Sequence, residues 1–469
     1  MTDNAETSYD VLIVGGGPAG QAAALELAAA GARCAVIDEQ ARPGGQILRQ
    51  PPVSFPAQNW VDENSYRPLR QQLRVFENQA AIAWLGRRSV IGLQSGPQGH
   101  MLTTSGADGL QELSAAHVLI AAGCYDMPYP APGWTLPGAM GAGAMQTLLK
   151  AQGIVAGEPI VFAGTHPLML LIAAQISRSG GKVAEVAFDR SFATIGKSMI
   201  RHCATALRNG SLLSEAGKAM MELRRAGVPV RFGRPLQEIT GADRVTGAVF
   251  GEADHPGTTP CGSIGLCYGF LPQSDLPRQA GLAVRWSSPS GGWATCHDQW
   301  MQSSVEGLWV AGETTGVAGA PIARDEGRIA GLGIAAALGL ITSRDATRRA
   351  APFRQSRKAA MRFAAMLDDI ADPTQALDRV AANNTTICRC EKVSASAVRE
   401  TLGSTTDVNA VKRITRCGMG LCQGRNCEHM LIRMSAAAEG RPLETMKGFT
   451  GRFPARPVSI ADLLDKPLP

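Results

Sequence analysis

The sequence predicts an α/β protein in which two strand, glycine-turn and helix units are followed by a small cysteine-bearing domain. Three observations carry that expectation. Tyr9 to Val14, YDVLIV, runs directly into a glycine-rich turn and then an alanine- and leucine-rich helical stretch. Pro159 to Gly164, PIVFAG, opens a second unit of the same kind, and five of the eleven cysteines fall between Cys388 and Cys427. At 469 residues the chain exceeds what one hydrophobic core usually organises, so two or three domains are expected.

Composition narrows the function classes. Glycine is abundant at 53 residues and aromatics are scarce at 5%, which suits tight turns and close backbone approach to a ligand, not an aromatic nucleic-acid platform. The 46 basic and 40 acidic residues are scattered, so a net charge of +6 marks no nucleic-acid surface. Met1 to Asp10 is polar and acidic where a secretory signal would start basic and continue apolar. The apolar run Leu168 to Ile176 is far shorter than the roughly 20 residues of a membrane span. These readings predict a cytoplasmic protein with no membrane span, in which cysteines stay reduced and serve as ligands rather than disulfides.

The first unit is a dinucleotide-binding pattern. In Gly15-Gly16-Gly17-Pro18-Ala19-Gly20, Gly15 permits the tight turn, Gly17 lets a pyrophosphate approach the backbone, and Gly20 lets the helix pack on the strand. The helix start then offers free N–H groups and its positive dipole end to phosphate. Gly31 is placed to cap the helix, and Cys34 to Ile37 reads as a second strand ending in Asp38, suited to accept from a ribose hydroxyl.

Gly44-Gly45-Gln46, Val118 to Gly123 (VLIAAG) and Gly307 to Glu313 (GLWVAGE) extend the pattern. Together they resemble the flavoproteins built from two dinucleotide-binding domains. That resemblance implies FAD as cofactor, a Rossmann-like FAD domain with an inserted nucleotide-binding domain, and a late acid on the flavin ribityl chain. The residues it implicates are Gly15, Gly17, Pro18, Ala19 and Gly20, then Asp38 and Glu39, Gly45 and Gln46, Ala122 and Gly123, and Gly312 with Glu313, where the family usually has Asp.

In the family the second unit binds NAD(P)H, but here His166 and Met169 stand at the second and third glycine positions after Gly164. A side chain at 166 crowds the approach that glycine exists to permit, so the unit is expected to keep its fold and lose its nucleotide. No redox-active cysteine pair precedes Cys388. Disulfide reductase chemistry is rejected on that ground, and Cys34, Cys124, Cys203, Cys261, Cys267 and Cys296 read as bystander thiols.

Ser343 to Ala382 is charged, alanine-rich and helix-favouring, and reads as a helical linker. Beyond it come Cys388-Arg389-Cys390-Glu391 and Cys417-Gly418-Met419-Gly420-Leu421-Cys422-Gln423-Gly424-Arg425-Asn426-Cys427. Four thiolates suit an iron–sulfur cluster or a structural zinc, and glycines let the loop wrap a compact inorganic core. A single residue between Cys388 and Cys390 disfavours zinc, and Cys427-Glu428-His429 alone cannot make a Rieske centre. The spacing resembles the bacterioferritin-associated ferredoxin family of [2Fe-2S] domains. It implies Cys388, Cys390, Cys422 and Cys427 as ligands with Cys417 as an extra, the competing set replacing Cys427 by Cys417.

End to end, the chain is similar to the FAD- and [2Fe-2S]-binding subunit of oligomeric opine oxidases, hydroxyproline dehydrogenases and bacterial cyanide synthase. Gly133-Trp134-Thr135-Leu136-Pro137-Gly138 and Tyr268-Gly269-Phe270 with Pro272 share in the resemblance. It implies a second flavin-containing catalytic subunit, with or without a small third one, that oxidises an amino-acid-derived amine to an imine while this chain passes electrons on. The alternative is a self-sufficient NAD(P)H-dependent reductase. The expected layout is an FAD domain over 1–125 and 286–342, a degenerate nucleotide-binding domain over 126–285, a linker over 343–382, a [2Fe-2S] domain over 383–440 and a tail over 441–469.

Overall fold

The computed structural model describes residues 9–55, 66–97, 99–251, 257–382 and 384–464. The acidic N-terminal segment, up to residue 8, and the last five residues lie outside them. In chain order the strands that build the two main sheets are β1 (Val11–Val14), β2 (Cys34–Ile37), β3 (Ile82–Leu85), β4 (His117–Ile120), β5 (Ala139–Gly141), β6 (Ile160–Gly164), β7 (Val183–Phe188), β8 (Val230–Phe232), β9 (Ser263–Cys267) and β10 (Leu308–Val310). The first sheet has the order β10-β4-β1-β2-β3, and the second β8-β7-β6-β9-β5. Both sheets are parallel throughout. Such sheets are covered on both faces, and β1 and β2 are accordingly buried at every residue rather than alternating.

The helices that position the candidate sites are α1 (Pro18–Ala29), α2 (Ala142–Gln152), α3 (Leu168–Arg178), α4 (Asp275–Gln279), α5 (Ala320–Ala337), α6 (Ser343–Ala371), α7 (Thr374–Ala382), α8 (Ala395–Leu402), α9 (Val408–Thr415) and α10 (Glu428–Glu439). Helices α1 and α5 meet backbone to backbone: a Cβ at Gly327 would run into the Ala19 carbonyl, and one at Gly331 would stand 2.8 Å from the Ala23 oxygen. Only glycine permits that approach, which brings the turn before α5 against the start of α1.

The stretch predicted as a linker is helical and is packed along its length. Arg349 pairs with Glu26 at 2.6 Å, Arg357 with Glu326 at 2.7 Å, and Asp369 with Arg201 at 2.8 Å, so α6 runs from α1 past α5 to the second sheet. Asp372-Pro373 divides it from α7, because proline removes a donor and disfavours helix in the residue before it.

The C-terminal unit is not a separate bead on the chain. Ile387, Val398, Val411, Met430 and Leu431 share one buried cluster with Tyr129, Tyr268, Trp286 and Trp293 of the preceding region. Trp134 Nε1 donates to the Thr386 carbonyl at 2.7 Å across that boundary, and the Tyr129 and Tyr268 rings stack at 3.6 Å. Continuous apolar burial of this kind, which also takes in Val161, Ala163 and Ile264, holds the cysteine loops at a fixed place relative to the second sheet.

Candidate functional site

The glycine turn shows which of its residues serve the fold and which face outward. Gly15 has φ +104°, and a Cβ there would run into the Ala121 carbonyl; a Cβ at Gly20 would run into the Gly15 carbonyl. Gly17 is different. Its φ of −78° is open to any residue, and a Cβ would meet only the Gly45 Cα at 3.7 Å, an ordinary contact. Nothing within the protein therefore requires glycine at 17, and the space beside it belongs to a large cavity. Gly17 is also the N-cap of α1, with no side chain capping the helix and no acid in its first turn. The first N–H groups are left for an anion.

Asp38 closes the end of β2. Its Oδ2 accepts from Gly16 N at 2.6 Å and its Oδ1 from Gln40 N at 2.7 Å, which orients the carboxylate at the cavity wall. Burial raises its pKa, opposed by those two N–H donors. Each oxygen keeps acceptor capacity for a ligand hydroxyl.

At the far side, Glu313 lies in a short 3₁₀ turn, Gly312–Thr315. Its Oε1 accepts from Gly319 N at 3.2 Å, and its Oε2 accepts from the Cys124 thiol at 2.8 Å. The turn itself is pinned by Glu326, which accepts from Gly312 N and Thr315 Oγ1, both at 2.9 Å, and from Arg357. Sequence reasoning left Cys124 among the bystanders and passed over Glu326, whose role depends on a helix folding back on the turn. Asp126 was also missed. It lines the cavity, accepts from Ala144 N at the start of α2 at 3.1 Å, and is pushed up to about 6 by burial.

One cavity of about 1050 Å³ joins these parts. Gly15, Gly17, Pro18, Ala19, Asp38, Glu39, Gly45, Gln46, Ala122, Gly123, Gly312 and Glu313 all line it, whereas Gly20 sits behind the turn against Gly15. Its size is at the upper end of small-molecule and cofactor pockets, and its open glycine cradle, uncapped helix start and two placed carboxylates fit an extended dinucleotide. The same cavity reaches His166 and Asp368 and, from the C-terminal unit, Cys422, Arg425 and Asn426.

All five late cysteines gather beside this wall. The sulfurs of Cys388, Cys417 and Cys427 lie within 4.8 Å of one another and are buried. Cys390 is exposed and neighbours the half-buried Cys422, whose ionisation is disfavoured first by burial and then by that neighbouring thiol. The donor set fits a thiolate-bound metal centre, since a knot of five thiols with no disulfide has no other evident packing reason. Proximity brings Cys417 into the group as closely as Cys427, so the choice of four ligands rests on sequence spacing. The loop is fastened by Arg425, which pairs with Asp275 at 2.7 Å, and by Glu428, which takes two bonds from Arg278 at 2.9 and 2.7 Å. Both partners stand on α4, and both pairs are largely buried.

At the carboxyl end of β7 the chain covers itself. Asp189, the residue after β7, pairs with Arg379 of α7. Arg190 donates to the Asp369 and Ile370 carbonyls, and Arg201 makes two bonds to Asp369 at 2.9 and 2.8 Å. His166 turns its ring edge to Phe270 at 5.3 Å, accepts from Leu168 N at Nδ1, and is lowered to about 4 by burial. Met169 is fully buried.

Residues 9–327 match the pyridine nucleotide-disulphide oxidoreductase family, and residues 383–465 match the sarcosine oxidase A3 domain. The opine oxidase A-type polypeptide of Rhizobium meliloti is 34% identical over 475 residues, covering 98% of this chain and 88% of that protein. The chain belongs to the family of opine oxidase A-type polypeptides. Hydrogen cyanide synthase subunit HcnB of Pseudomonas aeruginosa is 31% identical, over 96% of this chain and 97% of that one. L-Proline dehydrogenase from P. horikoshii shares the fold, with a TM-score of 0.70 at 18% identity over 97% of this chain and 79% of its own. Membership in the family makes this chain an oxidoreductase of flavoprotein type that works as one subunit of a larger enzyme. Among the described residues no helix is long and apolar enough to cross a membrane.

Proposed function

We propose that this chain is the electron-transfer subunit of an enzyme that oxidises an amino-acid-derived amine, such as an opine or hydroxyproline, to an imine in a partner flavin subunit. The observation that carries the reading is the shared wall: Cys422 and Arg425 line the same cavity as Gly17, Asp38 and Glu313. FAD accepts an electron pair as hydride and a [2Fe-2S] centre carries single electrons, so a chain holding both links two-electron to one-electron chemistry.

In this reading the N–H groups at Gly17 and Ala19 hold the pyrophosphate, with Pro18, which has no N–H, fixing the helix start between them, Asp38 and Glu39 hold the ribose side, and Glu313 the ribityl hydroxyls. Gly45, Gln46, Ala122, Gly123 and Gly312 shape the channel, while Gly15 and Gly20 keep the turn. Cys388, Cys390, Cys422 and Cys427 hold the cluster, and Cys417 backs it from the buried side. The paired α4 residues, Asp275 and Arg278, keep the cysteine loop against the flavin cavity.

A self-sufficient NAD(P)H-dependent reductase is disfavoured. Asp189 and Arg190 stand where such a nucleotide would meet β7, and both are engaged by α6 and α7. The degenerate nucleotide-binding reading of 126–285 gains a steric cause beyond His166.

The test is to purify the chain anaerobically, assay iron, sulfide and flavin, and then supply octopine, nopaline, hydroxyproline, proline and glycine with a dye acceptor, alone and with a co-produced partner subunit. Two irons per chain and turnover only in the complex are expected. Zinc without sulfide, or turnover by the isolated chain, would overturn the assignment.

A further inference from the structure

The cysteine unit has an inner and an outer side. Inward, Cys422 meets the cavity wall; outward, Cys390 is exposed to solvent. Gly420 touches Cys390 directly, and the next residue, Leu421, is 76% exposed. Arg416 reaches Glu391, the neighbour of Cys390, at 2.8 Å, and two residues earlier Ile414 is 63% exposed. Arg389, Lys392 and Arg413 are exposed in the same stretches with no bonded acid among the described residues, while the Arg416 charge is offset by Glu391. Two exposed aliphatic side chains, Ile414 and Leu421, and three exposed cations thus lie in stretches that meet beside Cys390, at Gly420 and at the Arg416–Glu391 pair.

We infer that this outer edge is a docking face for a one-electron acceptor protein whose contact surface is acidic. The inference rests on the electron-transfer reading given above. A small apolar centre with a charged rim is the make-up of transient redox encounters, in which charge steers approach and little area is buried. Three uncompensated cations around one exposed thiol call for carboxylates on the partner. An anionic bilayer is the less fitting occupant, because two aliphatic side chains without an aromatic anchor give little to insert. With a cluster held by the cysteines, each encounter would pass one electron from it to the acceptor, whose haem iron would go from ferric to ferrous with no bond made or broken. Two encounters clear the pair from one amine oxidation.

The experiment uses two haem acceptors of opposite surface charge, cytochrome b5 (acidic) and cytochrome c (basic), mixed with the full-length FAD- and iron-loaded chain after stoichiometric anaerobic reduction. Cytochrome b5 reduction should slow by about tenfold or more as salt rises from about 50 to 500 mM, the range over which the screening length falls to a few ångströms. Arg413→Glu and, separately, Ile414→Ser should slow it at low salt with iron and flavin contents unchanged. Carbodiimide coupling of the same proteins should join cytochrome b5 carboxylates to Lys392, a readout that needs no redox centre. Preference for cytochrome c, a salt-independent rate with both variants unchanged, coupling confined to other lysines, or capture of the chain on phosphatidylserine vesicles through this face would each overturn the inference. A chain with flavin but no iron fails the electron-transfer reading itself, and metal analysis separates that failure from a failure of docking.

Discussion

The two glycine-turn units of this chain share a topology and differ in what they keep. Each begins with a buried parallel strand ending in a glycine that main chain demands: a Cβ at Gly15 would run into the Ala121 carbonyl, and one at Gly164 into the Cys267 carbonyl. At the next position of the pattern they part. Gly17 borders open space, while its counterpart His166 fills that space with an imidazole packed on Phe270. Met169 replaces the third glycine and is buried in the local core. A glycine imposed by the fold is present in both units, and a glycine that would serve a ligand is present in one. The rest of the second cleft agrees, since α6 and α7 cover Asp189 and Arg190 where the first unit leaves Asp38 at a cavity.

The largest effect that would break this contrast is loss of the ligand through Gly17 alone. Gly17→Val should leave the fold intact and reduce FAD content in the purified protein to background, because the side chain enters cavity and not core. Retained flavin with unchanged absorption would mean that the cofactor does not pass this turn. Of equal size but at the other centre, Cys422→Ser should remove the iron, and Cys427→Ser likewise, while Cys417→Ser spares it. Iron lost in Cys417→Ser and kept in Cys427→Ser would exchange their roles, an outcome the shared 4.8 Å grouping makes worth measuring first.

How much of this was legible in the sequence follows from how local each signal is. The turn, α1, β2 and Asp38 lie within one short span, and β2 falls on the predicted Cys34 to Ile37. The cysteine pairs are likewise close in sequence. What escaped depends on pairings between distant residues: Cys124 with Glu313, Glu326 beneath the 312–315 turn, Asp126 at the start of α2, and the ion pairs that tie α4 to the cysteine loop. The stretch over 343–382 reads from the sequence as a helical linker, and its partners are not legible there. Arg349 and Arg357 in fact pair with Glu26 and Glu326, and α7 adds Arg379 on Asp189, acids more than thirty residues away.

A smaller effect sharpens the first unit. Asp38→Ala should weaken FAD by about 1.5–3 kcal/mol, the range for a hydrogen bond to a charged group, or about ten- to a hundredfold in Kd measured by flavin fluorescence. Part of that loss is indirect, because Gly16 N and Gln40 N lose their shared acceptor at 2.6 and 2.7 Å. Asp38→Asn retains an acceptor for one of them and should fall between wild type and alanine.

The smallest expected effect concerns His166, and it separates two ways in which the second cleft would exclude a nucleotide. If the imidazole alone blocks a nicotinamide nucleotide, His166→Gly should restore NADPH binding, read as a change in flavin or nucleotide fluorescence on titration. If the plug formed by Asp369, Ile370 and Arg379 blocks it, the variant should bind no better than wild type, which is the outcome expected here. The same substitution carries a pH signature. Burial lowers His166 to about 4, below its ordinary 6.5, so the unfolded chain takes up the proton first as pH falls. Stability from keeping the ring neutral is fully present above pH 6.5 and is lost between 6.5 and 4, at no more than about 1.4 kcal/mol per pH unit. Because the ring is only partly shielded at the cavity wall, the total is expected at the low end, roughly 1 kcal/mol. Urea midpoints at pH 7.5 and pH 5 should therefore fall more for wild type than for His166→Gly, with NADPH silent in both. Nucleotide binding by the variant would assign the block to one side chain and release α6 and α7 from that role.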